Sequence, residues 1–206
     1  MKTLDKKIWL ASKSPRRREL LRQIGVDFEL LLLRDAAPRG PDVTEIVLPN
    51  EAAEDYVKRV TLEKAEFAMR VLGQRRLPAR AVLTADTTVV LDGQILGKPK
   101  DVAHAQAMLA SLAGRSHLVL TSIALAVHGK SWQHTQCSEV EFSPLTPAQI
   151  AQYCASGEPY DKAGGYGIQG MAAAFIARIH GSYSGIMGLP LYETAQLLQQ
   201  ADIGPL

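Results

Sequence analysis

Residues 81–93 read Ala81-Val82-Leu83-Thr84-Ala85-Asp86-Thr87-Thr88-Val89-Val90-Leu91-Asp92-Gly93. The run from Ala81 to Leu91 is apolar and rich in β-branched residues, which predicts a long buried strand. Asp92-Gly93 is the dipeptide preferred in two-residue hairpin turns, so the chain is expected to fold back at once. A second hairpin is predicted around His128-Gly129, joining Leu118–Val127 to a strand over about Gln133–Phe142. Helical segments flank both hairpins. Antiparallel hairpins interleaved with helices predict an α/β architecture with a mixed sheet rather than a purely parallel one.

Upstream, Ile8–Ala11 reads as a short buried strand. Ser14 and Pro15 then form a helix start, with the serine at the N-cap and the proline in the first turn. Leu20, Leu21 and Ile24 give that helix an apolar face, and Gly25 ends it. A strand is expected over Val26–Leu33. Residues 34–51 hold Pro38, Gly40, Pro41 and Pro49 and read as a loop of about 18 residues, long enough to suggest a functional role. A long amphipathic helix follows over Ala52–Leu72, with Ala53, Val57, Val60, Ala68 and Val71 on one stripe.

Downstream, Asp101 caps a helix that runs to Ala113 and stops at Gly114. Thr146-Pro147 opens a short helix ending near Gly157. Residues 158–170 form a glycine-rich loop, Ala172–Ile179 a strand, and Leu191–Gln200 the last helix.

The chain has 206 residues, with 23 Lys plus Arg against 21 Asp plus Glu, a formal net charge of +2. That balance argues against a general nucleic-acid binder. Hydrophobic residues make up 47% and charged residues 21%, a globular rather than a disordered composition. Apolar runs fall short of the roughly 20 residues that span a bilayer, and Ile8–Ala11 is too short for a secretory signal. The expectation is a cytoplasmic protein with no membrane association. Cys137 and Cys154 form no motif, and His104, His117, His128, His134 and His180 do not cluster, so a cysteine-based zinc site and a disulfide framework are not expected.

Four features break the folding rules, and such breaks concentrate where chemistry happens. Arg16-Arg17-Arg18 places cations at a helix N-terminus, which disfavours them unless an anion binds there. The alternatives are a phosphate cradle and a solvated basic turn, with Arg18 the best candidate for a plain surface residue. Asp86 puts a carboxylate inside a buried strand, as a general base, a metal ligand or a group bonded to local backbone. Lys64 falls on the apolar stripe of its helix and either snorkels outward or enters a polar site. Lys98, in Leu96-Gly97-Lys98-Pro99, is held extended by the following proline, as a phosphate contact or an exposed loop lysine. Together these groups suggest polyphosphate chemistry. Such chemistry with Mg²⁺ also needs carboxylates for the ion, and the long loop offers Asp42 and Glu45.

Gly165-Tyr166-Gly167-Ile168-Gln169-Gly170 fits G-x-G-x-x-G, but a polar segment precedes it and an apolar strand follows, the reverse of a dinucleotide-binding turn. The chain has no phosphate-binding G-x-x-x-x-G-K-[ST] and no G-x-S-x-G.

Five segments, in order, resemble the Maf nucleotide pyrophosphatases. They are Ser12-Lys13-Ser14-Pro15-Arg16-Arg17, Ala85-Asp86-Thr87, Gly97-Lys98-Pro99, Asp161-Lys162-Ala163-Gly164-Gly165-Tyr166-Gly167-Ile168-Gln169-Gly170, and Gly188-Leu189-Pro190. The resemblance implies a Maf/ITPase-like fold, an elongated mixed sheet flanked by helices with two lobes around a deep cleft. It also implies a single domain over residues 1–206, in a family that is often dimeric. The implied activity is hydrolysis of a nucleoside triphosphate to the monophosphate and pyrophosphate with a divalent metal, Mg²⁺ first, with Mn²⁺ or Co²⁺ as alternatives. The Ala-Asp-Thr and Tyr-Gly-Ile-Gln-Gly forms are similar to the dTTP/UTP branch.

By the same resemblance, Asp86 matches the proton acceptor. Arg16, Thr87 and Gln169 match positions tied to base specificity, and Ser12, Arg17, Lys64 and Lys98 match the phosphate-handling set, with Ser14 at the helix start. The family's acidic pair fits Asp42-Val43-Thr44-Glu45 once an insertion of about eight residues is allowed. That makes Glu45 a metal or water ligand beside Asp86. Two other classes stay open at this level: a nucleotide-binding regulator of septum formation and cell division with incidental hydrolysis, and an RNA-binding module using Arg16–Arg18, which the weak net charge counts against.

Overall fold

The computed structural model describes residues 6–33 and 43–203. In chain order the elements are β1 (Ile8–Leu10), α1 (Pro15–Gln23), β2 (Phe28–Leu30), α2 (Ala53–Gln74), β3 (Val82–Leu91), β4 (Gln94–Leu96), α3 (Val102–Leu112), β5 (Ser116–Val127), β6 (Lys130–Phe142) and α4 (Pro147–Ala155). Three 3₁₀ turns follow, Glu158–Asp161, Ala163–Gly165 and Met171–Phe175, and then β7 (Ile176–His180), α5 (Tyr183–Met187) and α6 (Leu191–Gln200).

The seven strands form one mixed sheet in the order β2-β1-β3-β5-β6-β7, with β4 paired to the far end of β3. β1 is parallel to β2 and β3, and the remaining pairs are antiparallel. The mixture follows from the connections. A helix carries the chain from β1 to β2 and returns it in the same direction, whereas two-residue turns reverse it. Both turns have the expected left-handed backbone, with φ of 50° and 77° at Asp92 and Gly93 and 49° and 76° at His128 and Gly129.

The predicted helix starts are all present. Ser14 Oγ accepts from the Arg17 N–H, Asp101 Oδ1 accepts from the His104 N–H, and Thr146 and Gln149 form a reciprocal capping box. α2 lays Val57, Val60, Ala65, Ala68 and Val71 against the sheet. Ala65 meets Ala124 and Ala126, and these small side chains let the helix lie close to β5. On the opposite face, α1 and α6 cover Leu83, Ala85, Ile123 and Leu125 at one end. α3, α4 and the glycine-rich segment cover Val89, Val119, Val140 and Phe142 at the other.

Three local expectations need correction. The second strand is confined to Phe28–Leu30 instead of Val26–Leu33, since β1 offers it only three residues to pair with. The stretch expected as a strand from Ala172 begins as a 3₁₀ turn over Met171–Phe175, and only Ile176–His180 pairs, with β6. The short helix α5, capped by Ser182, was not anticipated. Among the described residues no helix is long and apolar enough to cross a membrane.

Candidate active site

β1 pairs with β3 only through Val82 and Leu83, and β4 joins β3 only from Val89 onward. Among the described residues, no strand covers that edge of β3 between these pairings. Successive side chains of a strand point to opposite faces, so Asp86 faces α2 while Thr87 faces α1 and α5. At an uncovered edge the two faces meet, and both residues line one cleft of about 750 Å³. Ser12, Ser14, Arg16, Arg17, Glu45, Lys64, Lys98 and Gln169 line the same cleft. Asp42 lies outside the described residues. Arg18 is not among the lining residues.

On the α2 side, Lys64 Nζ is 2.6 Å from Asp86 Oδ1 and 2.6 Å from Glu45 Oε1. Asp86 is 8% exposed. Its burial is compensated by this ammonium, as a carboxylate within a sheet requires. Burial alone would raise the Glu45 carboxyl, but the nearby Lys64, with Lys98 and Arg17 behind it, brings it below its ordinary value. Lys64 on the apolar stripe of α2 therefore enters a polar site instead of snorkelling outward.

Glu45 is positioned by Tyr56, whose spacing from Glu45 the sequence displays, and by Arg59, neither of which the sequence marks with a role. Tyr56 donates from its hydroxyl to the Glu45 carbonyl oxygen at 3.3 Å. Arg59 holds the same loop by donating Nη2 to the Ile46 carbonyl oxygen and by a two-point pair with Glu51 at 2.6 and 2.9 Å. Burial pushes the Tyr56 hydroxyl up, and the charges of Asp86 and Glu45 add to that. The available signal is a basic residue, Arg59, nearly two helical turns into α2, following an acid, Glu51, just before that helix.

On the other face, the Arg17 guanidinium is bonded within the protein. Nη1 donates to the Ala85 carbonyl oxygen at 2.8 Å and to Ser12 Oγ at 3.3 Å. Nε donates to the Gly188 carbonyl oxygen at 2.8 Å, and Nη2 to Thr87 Oγ1 at 3.2 Å. The side chain thus ties α1 to the open edge of β3 and to the end of α5. Burial lowers its pKa from the ordinary arginine value, an effect that Asp86 opposes. Arg16 reaches across the cleft to Asp161, Nη1 to Oδ2 at 3.3 Å, and Lys162 Nζ holds Asp161 Oδ1 at 2.6 Å. Lys98 and Gln169 are exposed on the cleft wall.

The glycine-rich segment is folded on the far end of β3. A Cβ on Gly164, where φ is +71°, would lie 2.8 Å from Val89 Cγ2, so the approach needs glycine for both space and conformation. Tyr166, also in the cleft wall, is hydrogen-bonded to the buried His117, OH to Nε2 at 2.7 Å. Burial lowers the His117 pKa to about 4, so this ring is neutral at pH 7.

The donors that could hold a metal are hard oxygens. Two carboxylates, Glu45 and Asp86, already converge on one cation, Lys64. Among the described residues no group of three or more His, Cys, Asp or Glu is arranged for an ion. Glu45 and Asp86 could hold an ion such as Mg²⁺, which takes one or two carboxylates and completes its shell with water and substrate phosphate.

A family model for Maf-like protein matches residues 7–201 of this chain. The chain belongs to the Maf family. Within it, this Maf protein is 57% identical over 201 residues to a dTTP/UTP pyrophosphatase of Aromatoleum aromaticum, covering 97% of both chains. It is 53% identical over 196 residues to the dTTP/UTP pyrophosphatase of Nitrosomonas europaea, covering 95% of both. A third relative with that description, from Ralstonia nicotianae, is 55% identical over 197 residues, covering 95% of this chain and 94% of its own. Among solved structures, a Ham1 protein of Staphylococcus aureus aligns over 94% of this Maf chain and 90% of its own, at 15% identity and a TM-score of 0.46.

Proposed function

We propose that this Maf protein is a nucleoside triphosphate pyrophosphatase that converts dTTP and UTP to their monophosphates and pyrophosphate. The observation that carries the reading is the division of labour across one open strand edge. A carboxylate pair converging on Lys64 stands on one face of β3, and Thr87, a neutral hydrogen-bonding side chain, stands on the other. The names of its relatives support the substrate class.

In the proposed reaction, water attacks the α-phosphorus and the bridging oxygen leaves with the β- and γ-phosphates as pyrophosphate. Asp86 takes the proton released by the attacking water. Lys64 and Lys98, with Arg16 once it is released from Asp161, face the negative charge that spreads over the phosphate oxygens. In the first turn of α1 the Arg16 N–H is offered to a phosphate oxygen, since Pro15 has none and those of Ser14 and Arg17 donate to Ser12 Oγ and Ser14 Oγ. Glu45 and Asp86 would hold Mg²⁺, which when bound supplies Lewis-acid stabilisation at the phosphates. Thr87 and Gln169 address the pyrimidine edge.

The test is a turnover panel with purified protein and Mg²⁺ over dTTP, UTP, CTP, dATP, GTP and 7-methyl-GTP, with pyrophosphate and orthophosphate assayed separately. Pyrophosphate formed chiefly from dTTP and UTP is expected. Turnover led by 7-methyl-GTP would overturn the substrate reading, and orthophosphate as the first product would overturn the reaction.

A further inference from the structure

Thr87 does not act alone. Its partner across the antiparallel pair, Thr121 of β5, is wholly buried and lies outside the cleft wall. Thr121 Oγ1 stands 3.0 Å from Thr87 Oγ1 and 2.7 Å from the Gly185 carbonyl oxygen of α5. A threonine hydroxyl has one proton and two lone pairs, whereas a carbonyl oxygen only accepts and a guanidinium only donates.

Those limits assign the protons in the chain. Two oxygens 2.7 Å apart need a proton between them, and the Gly185 carbonyl has none, so the Thr121 proton goes to Gly185. Thr121 therefore faces Thr87 with a lone pair, and the contact between them is made by the Thr87 proton. Arg17 Nη2, at 3.2 Å, occupies one lone pair of Thr87. What remains for the cleft is a single lone pair.

We propose that Thr121 is a specificity-determining residue, acting through Thr87: it draws the Thr87 proton inward and leaves Thr87 as an obligatory acceptor toward the base. An acceptor pairs with a ring N–H, which uracil and thymine carry at N3. Cytosine has a bare nitrogen at that position, so two lone pairs would face each other and one would lose its solvation without a partner. The inference rests on the proposed function, in which the pyrimidine lies against Thr87, and adds the expectation that keto pyrimidines are preferred to cytosine.

The experiment measures kcat/KM for UTP and CTP with the unaltered protein, Thr121→Val and Thr121→Ser. Valine keeps the shape and removes the acceptor, freeing the Thr87 proton to turn toward the cleft. The UTP-to-CTP ratio is expected to fall at least about ten-fold, chiefly because CTP improves. A variant that was merely less well packed would lose both substrates together. Thr121→Ser restores the hydroxyl and is expected to keep the original ratio. A folded Thr121→Val with an unchanged ratio overturns the proposal. An unaltered protein that takes CTP as readily as UTP overturns the proposed substrate choice itself. Should the valine variant not fold, 3-deazauridine triphosphate, with C–H in place of N3–H, is tested on the unaltered protein. A loss of about ten-fold or more against UTP is expected there, and equal turnover overturns the assignment.

Discussion

Lys64 Nζ and Asp86 Oδ1 are 2.6 Å apart, a contact that spans from α2 to the open edge of β3 and places a carboxylate and its counter-charge in the same cleft wall. Asp86→Asn keeps the shape of that side chain and removes its charge and its basicity. Turnover of dTTP is expected to fall by about 10²–10⁴, with a far smaller change in KM. Steady-state kinetics beside a thermal melt separates this from unfolding, and near-normal kcat would take Asp86 out of the reaction.

Arg17 bridges α1, β3 and the end of α5 by donating to the Ala85 and Gly188 carbonyl oxygens and to Thr87. Lysine carries the same charge but cannot make a planar fork. Arg17→Lys should therefore leave at least one of those acceptors unsatisfied and cost about 1–3 kcal/mol. Urea unfolding measures this, and an unshifted midpoint would show that the bridge does not contribute to the fold.

The pair between Glu51 and Arg59 makes a pH prediction. Hydrogen bonds from Arg59 push the Glu51 carboxyl from 4.5 down to about 2, against the effect of burial and with help from the Leu48 N–H. A depressed carboxylate stabilises the fold above its unfolded pKa, and the contribution is lost as pH falls through the folded value. Glu51→Gln is expected to melt at a lower temperature than the parent at pH 7. The gap should close progressively between pH 4.5 and about 2. A gap independent of pH over that range would mean that the carboxylate's charge is not what holds the loop.

Gly164 and Gly129 have similar positive φ, +71° and +76°, but different surroundings. A Cβ at Gly129 meets nothing within 4 Å, whereas at Gly164 it meets Val89. Gly129→Ala should lose only the conformational term, about 1 kcal/mol. Gly164→Ala adds overpacking of roughly 1–3 kcal/mol and should lower turnover by moving the glycine-rich segment. Paired denaturation curves test the difference, and equal losses would show that Val89 yields easily.

Local features of this chain were legible because they depend on neighbours in sequence. Ser14, Asp101 and Thr146 cap the helices that follow them, and Asp92-Gly93 and His128-Gly129 turn the hairpins, through bonds spanning a few residues. The short helix α5 and the 3₁₀ turn at Met171–Phe175 were not legible, because segments so short show no helical period. Contacts from elsewhere help to fix α5. Ser138 Oγ accepts from the Ser182 N–H, and a Cβ at Gly181 would collide with Ser138.

The candidate site divides in the same way. Asp86 within an apolar strand, Lys64 on an apolar stripe and arginines at a helix start are violations that the sequence by itself displays, and it therefore determined which side chains to look for in one cleft. It could not determine their partners, since Lys64 and Asp86 are 22 residues apart and Arg17 and Gly188 are 171 apart. Nor could it show that Tyr56, Arg59 and Thr121 hold the site from behind. Strand alternation puts Asp86 and Thr87 on opposite faces of the sheet, which from sequence alone would separate them. Only the tertiary structure, by ending β1 beside Leu83 and starting β4 beside Val89, opens the edge of β3 so that both faces meet in one cleft.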